Sequence, residues 1–221
     1  MKGKYYDISM EIAPDMAVYK NREELRPKIN TYLNHSAKGV QQSAACLDLH
    51  TGTHIDMPLH IIANGADSTD FGVDSVCGPC RVIEIPDDIE KITEEVLKTK
   101  RIWAGEILLL KTKNSFSDGF SDDFAYLAAS GAVYLAGEGA RAVGTDGLGI
   151  ERAQEGHPTH KILLGHGIPV IEGLRLADVP EGDYELLCLP LRIAGVEALP
   201  ARAVLYPLKE NQPKYKKTTC R

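Results

Sequence analysis

Residues 50–60 hold the densest group of side chains able to do chemistry. They read HTGTHIDMPLH and include three of the chain's seven histidines. His50, His54 and His60, together with the carboxylate of Asp56, all fall at even spacing. Because side chains two residues apart in an extended chain share a face, all four can point into one cavity. Imidazole and carboxylate groups bind Zn²⁺, Mn²⁺ and similar ions, so the pattern predicts a metal site.

The backbone of this segment fits neither a regular helix nor a straight strand. Gly52, three β-branched residues and Pro58 disfavour a helix. In a straight strand roughly 13 Å would separate the Cα atoms of His50 and His54, which is too far for bonds of about 2 Å to one ion. We therefore expect a strand that ends near His50, a turn at Gly52 and Thr53, and a loop that carries the rest. The spacing also lacks the His-Glu-x-x-His pattern of zincin proteases.

The competing interpretation is that these are ordinary polar loop residues. A single histidine in a polar loop is usually a hydrogen-bonded side chain without a metal. Three histidines and an aspartate within so short a segment favour the metal site.

Length, charge and apolar content narrow the class of protein. At 221 residues with 43% hydrophobic content, the chain can form one domain over residues 1–221. Its net charge of −6 argues against a nucleic-acid surface and favours metal cations and small substrates as partners. No apolar run approaches the roughly 20 residues of a membrane helix, and residues 1–7 lack the apolar region of a signal peptide.

The cysteines indicate a reducing, cytoplasmic location. There are five, an odd number scattered along the chain. Cys77 and Cys80 copy the spacing of a thioredoxin active site, which should precede a helix. The residues that follow, 81–85, alternate like a strand, so we expect a structural role for this pair.

The elements around these residues predict a mixed α and β fold. Strands are expected at 5–9, 46–50, 80–85, 107–111, 141–145, 169–171, 185–193 and 203–208. Helices are expected at 93–97, after a capping threonine, and at 128–138, which stops at Gly139. Helices interleaved among many strands favour an α/β or α+β domain over a helical bundle.

Several segments resemble the cyclase family of metal-dependent hydrolases. The string His-x-Gly-Thr-His-x-Asp-x-Pro-x-His at 50–60 is similar to the family's signature. Further similarities span most of the chain, at 6–9, 14–16, 78–83, 143–146, 160–164 and 168–174. The resemblance implies a central mixed sheet or small barrel with flanking helices.

The same resemblance implies a site with two metal ions, Zn or Mn. Its implied metal ligands are His50, His54, Asp56, His160 and Glu172. Asp56 and Glu172 would bridge both ions, and His60 would stay free of metal as the acid/base residue. Shared carboxylates reduce the repulsion between cations about 3.5–4 Å apart. Without the resemblance, Glu172 would be interpreted as a surface carboxylate that follows a strand.

The implied activity is hydrolysis of an amide C–N bond by a metal-activated hydroxide. The best single substrate is N-formylkynurenine, cleaved to kynurenine and formate in tryptophan catabolism. The sequence has no Gly-x-Ser-x-Gly elbow, which excludes the serine mechanism of other formamidases. The alternatives are an isatin hydrolase-like opener of cyclic amides or lactones, and a metal or small-molecule binding protein without turnover. The second would not need His60.

The substrate pocket departs from the family pattern. Formamidases of this family tend to have a tryptophan where this chain has Tyr19, and an aromatic residue where it has Ile61. Tyr19 is expected to stack on the aryl ring of the substrate. The resemblance further implies a homodimer or homotetramer whose N-terminal loop helps close a neighbouring site.

Three further residues are left open as candidates. His157 and His166 are interpreted as loop histidines that could contact substrate. Asp146 either supports the site from behind or caps the turn at Gly147.

Overall fold

Seven strands close into a ring in the computed structural model, which describes residues 5–117 and 119–208. Among these residues there are twelve strands. In chain order they are β1 (Tyr6–Asp7), β2 (Lys28–Leu33), β3 (Gln42–Cys46), β4 (His54–Asp56), β5 (Cys77–Glu84), β6 (Lys91–Ile92), β7 (Ile107–Lys111), β8 (Tyr126–Leu127), β9 (Ala142–Thr145), β10 (Val170–Glu172), β11 (Gly182–Pro190) and β12 (Ala198–Pro207).

The ring is a mixed sheet in the order β12-β11-β5-β7-β9-β10-β4, and β4 pairs again with β12. Strands β5, β7, β9 and β10 run parallel to one another, while β4 is antiparallel to both of its neighbours. Closure leaves these seven strands without a free edge between them. Strand β1 adds to the outside of this order through β12.

Four α-helices accompany the sheet in the described part of the chain. They are α1 (His35–Lys38), α2 (Glu94–Lys98), α3 (Ala129–Gly137) and α4 (Pro158–Gly165). Short 3₁₀ turns lie at Tyr19–Asn21, Glu23–Leu25, Pro58–His60, Val73–Ser75 and Lys113–Phe116. No helix within the described ranges is long and apolar enough to cross a membrane.

Alternating strand residues divide the core in two. One cluster contains Val82, Leu109, Ile171 and residues of the other ring strands, and it fills the ring interior. The second contains the intervening residues, such as Leu108, and packs them against Leu135 of α3 and side chains of α2 and α4. Both faces of β7, β9 and β10 are therefore buried, as expected for parallel strands covered by helices.

The mixed α/β fold predicted from the sequence is confirmed. Within residues 46–56, however, the strand follows the turn, whereas the sequence predicted that it would precede the turn. The predicted strand at 46–50 is wrong. Residues 47–53 form turns and bends, and the strand is β4, which comes after the predicted turn. Gly52 does make that turn, with φ of +66°. Helix α4 was not expected, because the glycines around it indicated a loop.

Candidate active site

Segments distant in sequence bring four potential metal-binding side chains to one end of the ring. Strand β4 carries His54 and Asp56, and β10 ends at Glu172, which pairs directly with His54. His160 lies in the first turn of α4, and that helix follows an extended loop after β9. Because β4 and β10 are antiparallel neighbours, their side chains on one face lie next to each other. Closure of the ring thus brings His54 and Glu172 next to each other although they are far apart in sequence.

His50 and His54 both approach the carboxylate of Asp56. The Nδ1 atom of His50 lies 3.1 Å from Asp56 Oδ1, and the Nε2 atom of His54 lies 3.4 Å from the same oxygen. The two imidazoles are 3.2 Å apart at these nitrogens. The turn at Gly52 makes this possible, because it folds His50 back over the start of β4.

A second group forms around the other oxygen of Asp56. His160 Nε2 lies 3.5 Å from Asp56 Oδ2 and 3.2 Å from Glu172 Oε1. The remaining Glu172 oxygen, Oε2, lies 3.5 Å from His54 Nε2. Asp56 and Glu172 therefore each lie within 3.5 Å of one histidine of β4 and of the histidine of α4.

Hydrogen bonds on the far side of two histidines fix which nitrogen faces the cluster. His54 Nδ1 lies 3.0 Å from the Gly52 carbonyl oxygen, so it donates there and leaves Nε2 for a ligand. His160 Nδ1 lies 2.8 Å from Glu151 Oε1. Partners of this kind orient metal-binding histidines and raise their basicity.

Glu151 is a site residue that the sequence did not reveal. Its side chain is buried, and Oε1 accepts hydrogen bonds from both His157 and His160 at 2.8 Å. Its second oxygen accepts the backbone N–H of Thr159 at 2.9 Å. The carboxylate thus ties the start of α4 to the ring of His160.

Asp56 provides the test of whether this cluster suits a cation. Its side chain is fully buried, and the imidazole nitrogens that approach its oxygens at 3.1 to 3.5 Å do so without good hydrogen-bond geometry. A buried carboxylate without hydrogen-bond donors is costly unless a positive charge compensates it. Three imidazoles and the Glu172 carboxylate surround it, and His54, Asp56 and Glu172 have ligand atoms close enough to hold one ion. The site therefore fits a divalent metal ion.

The ionisation of these groups agrees with that interpretation. Burial opposes the charge on Glu172, yet hydrogen bonds from His160 and His54 lower its pKa to about 2. Burial likewise opposes a charge on His54, but Asp56 and Glu172 raise its pKa to about 10. The metal-free cluster therefore keeps anionic carboxylates and balances them with protons, at positions that a metal ion would take.

His60 lies beside the cluster on the wall of the same cavity. Its ring centroid is 4.3 Å from that of His50 and 5.5 Å from that of His160. Burial lowers the pKa of His60 from its ordinary value, so the ring is neutral and able to accept a proton at neutral pH. A ring nitrogen of His60 is also close enough to His50 and Asp56 to serve as a third metal ligand. The metal content of a His60 variant therefore separates a role as ligand from a role as acid/base residue.

His50, His60, His160 and Glu172 line the floor of a cavity of about 390 Å³, and His54 and Asp56 are buried beneath it. Tyr19 lines this cavity and rests against the aromatic rings of Phe120 and Phe124, at centroid distances of 5.1 and 6.4 Å. A Cβ added at Gly149 would lie 3.2 Å from the Tyr19 ring, so the absence of a side chain at this position leaves room for the ring. The pocket thus has one aromatic wall, at the residue expected from the sequence.

The three candidates left open lie in different surroundings. His157 reaches the cavity as the residue before α4 and is hydrogen-bonded to Glu151. His166 is exposed, and its Nδ1 lies 2.7 Å from the Ile162 carbonyl oxygen. Asp146 is buried away from the cavity lining, and it holds the segment after β7 through hydrogen bonds from Thr112 and Ser115.

Comparison with known proteins places the whole chain among metal-dependent hydrolases. A family model described as "Putative cyclase" matches residues 6–152. A kynurenine formamidase of Salinibacter ruber (strain DSM 13855 / M31) is 34% identical over 202 residues, covering 90% of this chain and 95% of the relative.

Solved structures agree in fold. A predicted metal-dependent hydrolase from Bacillus stearothermophilus aligns with a TM-score of 0.84 and 45% identity, over 91% of this chain and 97% of that one. Isatin hydrolase A from Labrenzia aggregata aligns with a TM-score of 0.78 over 91% and 93% of the two chains. Its 21% identity makes this a likeness of fold.

Proposed function

The chain belongs to the cyclase family of metal-dependent hydrolases, and we propose that it cleaves N-formylkynurenine to kynurenine and formate. It is a metal-dependent amide hydrolase. The observation that carries the finer assignment is the cavity, whose floor is lined by His50, His160 and Glu172 above Asp56 and one wall of which is the ring of Tyr19. A flat aryl formamide matches that combination, because its ring can stack while its C–N bond meets the cluster.

We assign two divalent ions, Zn²⁺ or Mn²⁺, to this floor. His50, His54 and Asp56 would hold the first ion, and His160 the second, with Asp56 and Glu172 shared. This assignment is supported by the distances around Asp56, because His50 and His54 lie near its Oδ1 atom and His160 lies near its Oδ2 atom. Divalent ions bound there supply a water of lowered pKa and a charge that polarises the scissile carbonyl.

The chain's own residues would handle the proton and the ring. His60 takes the proton of the attacking water and returns it to the leaving amine nitrogen, a role that suits a neutral imidazole beside the cluster. Tyr19 positions the aryl ring. Glu151 holds the His160 ring in its orientation through Nδ1.

Turnover of N-formylkynurenine by Mn²⁺- or Zn²⁺-loaded protein tests the proposal. Kynurenine is followed by its near-ultraviolet absorbance, and we expect kcat/KM above about 10⁴ M⁻¹s⁻¹, the low end for ordinary enzymes. Asp56→Asn is the control that should remove activity together with metal. Slower turnover of this substrate than of isatin or a lactone would move the assignment to a cyclic amide or lactone.

Elemental analysis tests the number of ions. Protein purified without chelator should carry more than one metal equivalent per chain. His160→Ala and Glu172→Ala should each lower that content, because each removes a ligand of the second ion. Unchanged content in both variants would contradict the two-ion assignment.

We further propose that the molecule works as a homodimer or homotetramer. Strands β2 and β3 form a two-stranded hairpin whose residues are almost all exposed, including Ile29 and Tyr32. An isolated two-stranded hairpin is marginally stable in water, so a neighbouring copy would stabilise it. Light scattering should give a mass above 24.1 kDa, and Tyr32→Ser should shift it towards the monomer. A monomer at micromolar concentration would overturn this.

A cytoplasmic location is proposed from the cysteines. Among the described residues Cys46, Cys77, Cys80 and Cys188 are all unpaired, as in a reducing compartment. Cys77 and Cys80 both lie in β5, which supports the structural role expected for them. Fractionation of the producing cells checks the location, and recovery of the protein outside the cytoplasm would contradict it.

A further inference from the structure

Two cations and one carboxylate lie at the mouth of the cavity, apart from its metal-binding floor. Lys20 and Arg22 follow Tyr19 in sequence and line the same cavity, and both are exposed. Asp48 lines it too and is half-buried. Neither cation has a role in the cleavage of the amide bond described above.

Arg22 is placed for a ligand, and no partner of its side chain lies among the described residues. Its side chain makes no hydrogen bond or ion pair with any described residue, whereas the nearby Arg26 is fixed by Glu23 and by the Met16 carbonyl oxygen. Lys20 lies with its Nζ 5.4 Å from the centre of the Tyr19 ring. Arg22 also acts on that ring, because its charge opposes the rise in the Tyr19 pKa that burial, Glu172 and Glu151 produce.

The backbone that presents these side chains is strained. Lys20 and Asn21 have φ of +54° and +51°, two consecutive non-glycine residues in the left-handed region. The turn is closed by hydrogen bonds from Asn21 N–H to Val18 and from Arg22 N–H to Tyr19. Strain of this kind clusters at ligand-binding segments.

We propose that Arg22, with Lys20, binds the carboxylate of an amino-acid substrate whose aryl formamide end reaches the metal-binding floor. The inference rests on the proposed formamidase function and names the part of the substrate that selects it. The planar guanidinium can bind a carboxylate through two parallel hydrogen bonds. The Asp48 carboxylate in the same cavity provides the opposite charge that an α-ammonium group needs. Charges of both signs beside an aromatic wall match an aromatic amino acid better than neutral isatin.

Two substrates that differ in one charge test the proposal. N-formylkynurenine and its carboxamide share the ring, the scissile bond and the ammonium group. We expect the metal-loaded protein to favour the carboxylate by about tenfold in kcat/KM, the effect of one charge-assisted hydrogen bond near the surface. Arg22→Gln should reduce that ratio to within about twofold of one. The loss should appear in KM with kcat retained, because the contact lies away from the reacting bond.

Two control variants separate recognition from structure. Arg22→Lys keeps the charge and should recover part of the ratio, whereas Lys91→Gln, at an exposed lysine in β6 outside the cavity, should leave it as in the parent protein. An equal kcat/KM for the two substrates in the parent protein would overturn the proposal, as would an unchanged ratio in Arg22→Gln.

Calorimetric measurement of product binding tests the proposal without turnover. If neither formamide is hydrolysed, the proposed function fails, and kynurenine is then compared with kynurenine carboxamide on the same protein. Tighter binding of kynurenine that is lost in Arg22→Gln supports the carboxylate site on its own. Equal binding of the two, or a preference that survives the substitution, overturns it.

Discussion

The Nδ1 side of the His160 ring is held by the carboxylate of Glu151. Glu151 Oε1 accepts from His160 Nδ1 at 2.8 Å. We expect Glu151→Gln to weaken binding of the metal ion at His160 by about 10–100-fold, as for other residues that orient a metal-binding histidine. Competition with a chelator of known affinity measures this directly.

Glu155→Gln is the matched control for that prediction. Glu155 lies four residues away in the same loop, and its side chain is exposed. Its substitution removes the same charge without touching His160, so metal affinity should stay as in the parent protein. Equal weakening in both variants would mean that the loss reflects the charge of the loop and not the hydrogen bond.

His60→Ala should keep its metal and lose activity by about 10²–10⁴-fold, the contribution of a general acid/base residue. His60 is the one motif histidine outside the close contacts of Asp56 and Glu172. Elemental analysis and kcat/KM are measured on the same preparation. Metal loss would make His60 a ligand, and His166→Ala serves as the control at an exposed histidine.

The residues of the local motif could be named from the sequence, because they lie within eleven positions and share a chemistry. Glu151 could not be named in this way. Its partners His157 and His160 come into reach only when α4 forms and turns their side chains towards it. No short spacing rule connects a loop glutamate to a histidine nine residues later.

At the scale of elements, the turn at Gly52 is packed directly against the end of β10. A Cβ added to Gly173 would lie 2.3 Å from the Gly52 carbonyl oxygen, and Gly173 has φ of +68°. Gly173→Ala should therefore lower the free energy of unfolding for two reasons. Left-handed backbone strain should cost about 1–2 kcal/mol, and overpacking should cost about 1–3 kcal/mol. Urea denaturation of the metal-free protein measures the free energy of unfolding.

Gly195→Ala provides the comparison for that substitution. Gly195 has a similar φ of +75°, but nothing lies within 4 Å of the position of its added Cβ. Only the backbone strain should act there, so Gly195→Ala should lower the free energy of unfolding by roughly half as much as Gly173→Ala. Similar losses at both positions would show that the contact with Gly52 has little energetic weight.

Elements were predictable where a continuous apolar run sets them. The buried run Ile107–Lys111 was expected at its observed bounds, because parallel strands covered on both faces are apolar throughout. Helix α4 was missed although Pro158 occupies its first turn, a common helix start. Strand β4 was missed because its three residues form a strand only between β10 and β12. Its pairing is a property of ring closure.

At the scale of the whole molecule, closure of the ring creates the site. Strand β4 pairs with β10 on one side and with β12 on the other. This joins residues 54–56 to residues 170–172 and 198–200, which come more than 100 positions later in the chain. Pairings so distant in sequence also explain why the metal cluster needed a family resemblance to be proposed in full.

We expect the chain to unfold as one domain, residues 1–221, in a single transition. The core inside the ring and the core under the helices share β5, β7, β9 and β10, so neither can lose its packing while the other keeps it. Calorimetry on protein stripped of metal should give equal calorimetric and van't Hoff enthalpies. The metal-free form is used because a bound ion adds a concentration-dependent term to the stability. Two resolved transitions would show that the helical side and the ring interior are separate cooperative units, in contradiction to the shared strands.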